Sequence, residues 1–120
     1  MSTAPIYLDY AATTPVDPRV AALMQQVVLQ GLGNSSAAHA SGMQAHALVE
    51  NARAQVAALV DAPVAQIVFT SGATESNNLA IFGTMGAALE ITRDAHVVTL
   101  ATEHKSVLEP VRELSRRGVA

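Results

Sequence analysis

Apolar residues recur at helical spacing in four stretches of the chain. The first stretch follows Asp17 and Pro18, which fit an N-cap with proline at the first helical position, and it ends at Gly31. Three further apolar stripes predict helices over residues 43–60, 74–91 and 104–117. The pattern therefore predicts four helices separated by short polar or glycine-containing segments.

Two short runs rich in β-branched and aromatic residues predict strands at 66–70 and 96–101. Each run precedes a predicted helix, and this order is typical of parallel strands joined by right-handed crossovers. Two parallel strands alone would expose edges of a type that is normally buried. The fold class is therefore expected to be α/β, with the first parallel strands of an incomplete sheet that a larger protein completes.

Composition narrows the function further. Half of the 120 residues are hydrophobic, 14% are charged and the net charge is -3, so no basic surface for nucleic acid is expected. No apolar run has the length of about 18 residues that a membrane span requires. The chain has no cysteine and no metal-ligand spacing of its histidines, so neither disulfides nor a metal site is expected. A cytoplasmic location is expected from these features.

The segment around Ser71 and Gly72 carries the clearest chemical signal. It leads from the predicted strand at 66–70 straight into a helix, and a helix N-terminus attracts anions through its free N–H groups. Thr74 adds a hydroxyl in the first turn. The segment lacks the motifs of ATP and dinucleotide sites, which indicates the phosphate of a smaller cofactor. The same residues also fit an ordinary turn with polar capping residues.

Four polar motifs lie along the chain. They are Tyr-Leu-Asp-Tyr-Ala-Ala-Thr-Thr-Pro at 7–15, Gly-Asn-Ser-Ser-Ala-Ala-His-Ala-Ser-Gly at 33–42, Phe-Thr-Ser-Gly-Ala-Thr-Glu-Ser-Asn-Asn at 69–78 and Ala-Thr-Glu-His-Lys-Ser-Val-Leu at 101–108. In order and spacing they resemble the cysteine desulfurases of the class V aminotransferase family, which are fold type I pyridoxal 5'-phosphate (PLP) enzymes. The resemblance covers essentially the whole chain, as the N-terminal third of a family member.

This resemblance implies a fold and an activity. Residues 1–15 would begin the small domain, and residues 16–120 would begin the large PLP-binding domain. The parent transferase would convert L-cysteine to L-alanine and an enzyme-bound persulfide that supplies iron–sulfur cluster assembly. Its partners would be a second copy of itself, in a homodimer, and an iron–sulfur scaffold or other sulfur acceptor.

The resemblance also assigns residues to roles. Ala73 and Thr74 would bind the PLP phosphate, and His104 would stack on the cofactor ring and move protons. Ala12 and Thr13 would lie nearest the substrate. Lys105 is the only lysine, but its counterpart in the family is not the Schiff-base lysine, so it is interpreted as solvated. Two smaller interpretations are that His39 orders its loop and that Ser106 and Glu109 form a capping box.

The chain departs from the family pattern in two ways. Ser35 and Ala37 replace a usual proline and serine, which predicts a less rigid loop. The Schiff-base lysine and the nucleophilic cysteine of the family would lie beyond residue 120, so the chain is expected to be inactive alone. Two alternatives stay open: another class V lyase or transaminase, and a non-catalytic remnant or binding module.

Overall fold

The computed structural model describes residues 6–92 and 94–120, which form two compact units. One unit ends at Ile67, and the other runs from Val68 to Ala120. The first five residues of the predicted small-domain segment lie outside the described residues. The predicted division of the complete protein at residues 15 and 16 stays a prediction.

All four predicted helices are confirmed, with ends that differ by a few residues from the expected ones. They are α1 (Pro18–Leu29), α2 (Ala40–Leu59), α3 (Ala73–Ile91) and α4 (Lys105–Arg116), with a short 3-10 helix at Val64–Gln66 between α2 and α3. The start of α1 shows why local sequence was sufficient. The Asp17 carboxylate accepts the Arg19 N–H at 2.8 Å, and Pro18 occupies the first helical position.

In the first unit, the loop before α2 is held by Asn34. Its carbonyl accepts the Ala37 N–H at 2.9 Å, and its side-chain oxygen accepts the Ser36 N–H at 2.9 Å. Gly42, in the first turn of α2, is buried against this loop. A Cβ added there would come within 2.8 Å of the Asn34 carbonyl oxygen and closer still to that of Ala37. These contacts hold the turn without the usual proline, and they leave no room for a side chain at residue 42.

Gly42→Ala is therefore expected to destabilise the protein by about 1–3 kcal/mol, because the added methyl group overpacks a backbone contact. Gly83→Ala is the matched control. Gly83 lies inside α3 with nothing within 4 Å of an added Cβ. That change should stabilise the protein by about 0.5–1 kcal/mol, since alanine favours helix over glycine. Urea unfolding followed by circular dichroism measures both, and shifts of equal sign would contradict the packing at Gly42.

The second unit has a small core between α3 and α4. Met85, Leu114 and Val119 are buried in it. Four partly buried residues pack around them: Ile81, Phe82, Ala95 and Val97. The Arg117 guanidinium lies 5.5 Å from the centre of the Phe82 ring, a cation–π contact at the edge of the core. These contacts set the spacing of the two helices.

Gly118 follows the end of α4, which agrees with the helix predicted over 104–117. It adopts a φ of 88°, which glycine tolerates without a Cβ clash. Its N–H donates to the Ser115 carbonyl at 3.0 Å, and the Val119 N–H donates to the Leu114 carbonyl at 3.1 Å. This is a Schellman motif, and it turns Val119 back into the core beside Leu114.

The two predicted strands are not confirmed. No strand occurs among residues 6–92 and 94–120, and Gln66 belongs to the 3-10 helix. The Val97 N–H does donate to the Ala120 carbonyl at 2.9 Å, which is one backbone bond between two segments that lie outside the helices. Val98 is 95% exposed, and Val68 is 62% exposed. A strand is stabilised by neighbours on both faces and edges, so these β-prone residues lack the contacts that would complete a sheet.

Candidate functional site

The N-terminus of α3 leaves backbone donors free. Gly72 is the N-cap residue, and no described side chain caps this helix end. The first intrahelical bond is from the Ser76 N–H to the Gly72 carbonyl at 3.1 Å, so the N–H groups of Ala73 and Thr74 have no partner in the helix. A Cβ added at Gly72 would meet nothing within 4 Å. An anion can therefore approach the backbone at this turn.

Hydrogen bonds from neighbouring side chains stabilise this turn. The Glu75 carboxylate accepts the Ser71 N–H at 2.7 Å and the Ser71 hydroxyl at 2.6 Å. Both bonds lower the pKa of the Glu75 carboxyl, and the bond from the Ser71 hydroxyl has the larger effect. Thr70 and Ser76 join their hydroxyls at 2.6 Å across the same turn. Glu75 thus takes up the Ser71 N–H, whereas the donors at Ala73 and Thr74 stay available.

The N-terminus of α4 is capped by His104. Its Nδ1 accepts the Ser106 N–H at 3.1 Å and lies 2.8 Å from the Ser106 hydroxyl oxygen. The predicted capping box of Ser106 and Glu109 is wrong, because Ser106 is inside the helix and Glu109 pairs with Arg112. The His104 ring accepts the Ser106 N–H instead, because His104 itself occupies the N-cap position of α4.

Asn77 links the two helix starts. Its Nδ2 donates to the Ser106 hydroxyl at 2.8 Å, and Ser106 is only 7% exposed. No role was predicted for Asn77 from the sequence. Its spacing could have indicated it, because it lies four residues after Ala73 and therefore on the same face of α3.

An open cleft of about 480 Å³ runs between α3 and α4, from the first turn of each helix to Phe82 in α3 and Arg116 at the end of α4. Thr74 and His104, two of the three predicted cofactor residues, both line it, and Ala73 precedes Thr74 at the same helix end. Lys105 also lines this cleft. Its walls are completed by Asn78, Phe82, Ser106, Glu109, Pro110, Glu113 and Arg116. The structure thus brings residues from motifs about 30 positions apart into one cleft.

The predicted substrate residues, Ala12 and Thr13, belong to the other unit. Their N–H groups donate to the Asp9 carbonyl at 3.1 and 3.4 Å. The Tyr7 hydroxyl donates to the same carbonyl at 2.8 Å, which gives this exposed turn a defined shape. The role of Ala12 and Thr13 in substrate binding stays a prediction.

His39 orders its loop by capping α2. Its Nδ1 accepts the Gly42 N–H at 3.2 Å and lies 3.1 Å from the Ser41 hydroxyl oxygen. The Ser41 carbonyl in turn accepts the Gly33 N–H at 3.3 Å. The interpretation of His39 as a loop-ordering residue is confirmed in these contacts.

The part of the chain that the structure describes holds no group of three or more acidic or histidine side chains able to bind a metal ion. Nor does that part contain a helix with the length and apolarity needed to cross a membrane.

Free N–H groups lie at the start of α3, and His104 caps the start of α4. Free N–H groups at a helix start attract anions. The family model of the class V aminotransferases matches residues 6–120. The chain therefore belongs to the class V aminotransferase family.

Similar proteins in several bacteria carry a more specific name. "Cysteine desulfurase IscS" of Dechloromonas aromatica (strain RCB) is 55% identical over 115 residues. The protein of the same name from Neisseria meningitidis serogroup C (strain FAM18) is 54% identical, and that of Shewanella sp. (strain ANA-3) is 55% identical over 117 residues. Each match covers 95% of this chain and 28% of the relative. The chain thus spans little more than a quarter of the length of these relatives.

Proposed function

We propose that the chain is the N-terminal part of a PLP-dependent cysteine desulfurase. The full-length enzyme would convert L-cysteine to L-alanine and hold the sulfur as an enzyme-bound persulfide. The observation that carries this proposal is the meeting of Thr74 and His104 in one cleft, in a chain 55% identical to proteins named cysteine desulfurase. It accounts for both the free helix donors and the neighbouring imidazole.

The start of α3 fits the phosphate of PLP. The N–H groups of Ala73 and Thr74 are uncapped, and the Thr74 hydroxyl makes no bond to another described residue. A phosphate at this position would accept hydrogen bonds from these donors and interact with the positive end of the helix dipole. Gly72 leaves the approach open, because an added Cβ there would meet no atom.

His104 is the proposed catalytic residue. Its imidazole lines the cleft, and because Nδ1 is used for the helix cap, Nε2 is the nitrogen left for a ligand. When bound, PLP supplies the electron sink for chemistry at the carbon atoms of the amino acid. His104 would lie against the cofactor ring and hold a proton at Nε2 near the reacting atoms.

The remaining parts of the proposal concern the complete enzyme. Ala12 and Thr13 would approach the substrate, and residues 1–15 would belong to the small domain. The segments at 66–70 and 96–101 would enter a parallel sheet, a placement supported by the bond from Val97 to Ala120. A homodimer, a sulfur acceptor such as an iron–sulfur scaffold and a cytoplasmic location complete the proposal.

The test uses the full-length protein, loaded with PLP and supplied with L-cysteine. Alanine and protein-bound persulfide should form in equal amounts. Transfer of the amino group to a keto acid without persulfide would instead indicate a transaminase of the same family. The 120-residue chain serves as the negative arm: it has no cysteine, so protein-dependent turnover by it would contradict the proposed division of the chemistry.

A further inference from the structure

We propose that Ser106 and Asn77 are positioning residues that hold His104 in the tautomer with its proton on Nε2. His104 then presents a hydrogen-bond donor to its ligand. This inference deepens the proposed function and rests on the role proposed there for His104. The juxtaposition that carries it is a chain of three side chains, Asn77, Ser106 and His104, that joins α3 to the start of α4.

The first step is the backbone amide of Ser106. An amide N–H can only donate, and it lies 3.1 Å from His104 Nδ1 with a geometry that makes a hydrogen bond. Nδ1 must therefore be an acceptor, without a proton. Because a neutral imidazole carries one donor and one acceptor nitrogen, the proton lies on Nε2.

The second step is the direction of the side-chain bonds. Asn77 Nδ2 donates to the Ser106 hydroxyl oxygen at 2.8 Å. The hydroxyl proton of Ser106 is then free to point at His104 Nδ1, which is also 2.8 Å away. Ser106 is 7% exposed, so water competes little for either bond. Both donors from Ser106 thus converge on Nδ1 and oppose a proton there.

The consequence is chemical. With its proton on Nε2, His104 can donate a hydrogen bond to an acceptor atom of a bound ligand, but Nε2 cannot accept a proton from that ligand. Removal of a proton from the substrate would fall to another group of the enzyme. Ser106 and Asn77 therefore make His104, in its neutral form, a hydrogen-bond donor at Nε2 and not a base.

A similar arrangement is found at the start of α2. His39 accepts the Gly42 N–H at Nδ1, with the Ser41 hydroxyl oxygen at 3.1 Å. In both places a serine follows the capping histidine by two residues. His39 therefore serves as an internal reference for His104. At both rings Nδ1 accepts a backbone N–H, but the bond from Asn77 to the serine hydroxyl is described only at His104.

The primary test measures the tautomer in the full-length enzyme without PLP or substrate. Ring-¹⁵N-labelled histidine is observed by solid-state NMR at about pH 8.5, where an ordinary imidazole is neutral. The His104 signals are assigned by their loss in His104→Asn, which retains an acceptor near the position of Nδ1. We expect the Nε2–H tautomer in the wild type. A proton on Nδ1 of His104 would overturn the proposal.

Substitutions then test the two side chains. Ser106→Ala and Asn77→Ala should each shift part of the His104 signal towards the Nδ1–H tautomer, and Ser106→Thr, which keeps the hydroxyl, should not. An unchanged tautomer in both alanine variants would show that the backbone amide acts alone and would overturn the role of the side chains. Because no cofactor is present, this result is independent of whether the proposed function holds.

A kinetic cycle distinguishes positioning from general stability. In the PLP-loaded enzyme, Ser106→Ala should lower kcat about 2- to 10-fold, the effect of one hydrogen bond, and leave KM unchanged. In the His104→Asn background the same change should have no further effect. An equal loss in both backgrounds would mean that Ser106 is merely structural, and it would overturn the proposal.

Discussion

His104→Asn in the full-length enzyme is expected to slow the single-turnover formation of alanine by about 100- to 10,000-fold, the usual contribution of an acid–base group. The effect should fall on the chemical step, because the imidazole is the titratable ring in the cleft shared with Thr74. Asparagine retains an acceptor for the Ser106 N–H, so α4 should keep its start. Rapid-quench measurement of alanine at saturating PLP and L-cysteine gives the rate.

The matched control is His46→Asn, the same chemical change at an exposed position inside α2. It should leave the rate unchanged. PLP absorbance is recorded for both variants, since His104→Asn should still carry the cofactor. Normal turnover by His104→Asn with bound PLP would contradict the role proposed for this residue.

Thr74→Ala should mainly weaken the retention of PLP. A hydrogen bond to a charged group contributes about 1.5–3 kcal/mol, so the dissociation constant of PLP should rise about 10- to 150-fold. The N–H groups of Ala73 and Thr74 remain in this variant, and binding should therefore be weakened rather than abolished. Titration of the apo-enzyme with PLP, followed by absorbance, measures the change.

Two variants sharpen this prediction. Thr74→Ser keeps the hydroxyl and should bind PLP nearly as tightly as the wild type. Thr84→Ala removes a hydroxyl from an exposed position further along α3 and should have no effect. If Thr74→Ala binds PLP with full affinity, the phosphate does not lie at the start of α3. That result would leave the membership of the class V aminotransferase family intact.

Thr74→Ala and His104→Asn should fail in different ways, and this difference distinguishes the role of the start of α3 from that of the start of α4. Excess PLP should restore most of the turnover of Thr74→Ala, because the variant keeps His104. The same excess should not restore His104→Asn, because its defect lies in the chemical step and not in the retention of PLP. A shared pattern of failure would mean that the cleft acts as a single structural unit without divided roles.

The helices were predictable because their signals are local. Asp17 with Pro18 marked the start of α1, and Gly118 marked the end of α4, each through bonds within a few residues. The free donors at Ala73 and Thr74 were also predictable, since any helix N-terminus leaves such groups. Family motifs then connected these positions to PLP and to His104.

The predicted strands failed to form for the opposite reason. A strand depends on partners distant in sequence. Among the described residues, the segments at 66–70 and 96–101 make a single backbone bond to a distant segment, from the Val97 N–H to the Ala120 carbonyl. The predicted capping box at Ser106 was wrong because His104 is the N-cap residue of α4, and its ring accepts the Ser106 N–H. Sequence patterns do not predict which acceptor is used where two local side chains compete for one N–H group.

The four helices, the family and the residue types able to hold a phosphate could be predicted from the sequence. The way in which those residues meet depends on how the helices pack. The packing of α3 on α4 brings Asn77 within 2.8 Å of Ser106, which lies 29 positions away. That distance is set by the core around Met85 and Leu114. The spacing from Ala73 predicts the helix face on which Asn77 lies, but not its partner on α4. The directed bonds to His104 therefore follow from packing, because hydrogen bonds between helices require the helices to be positioned first.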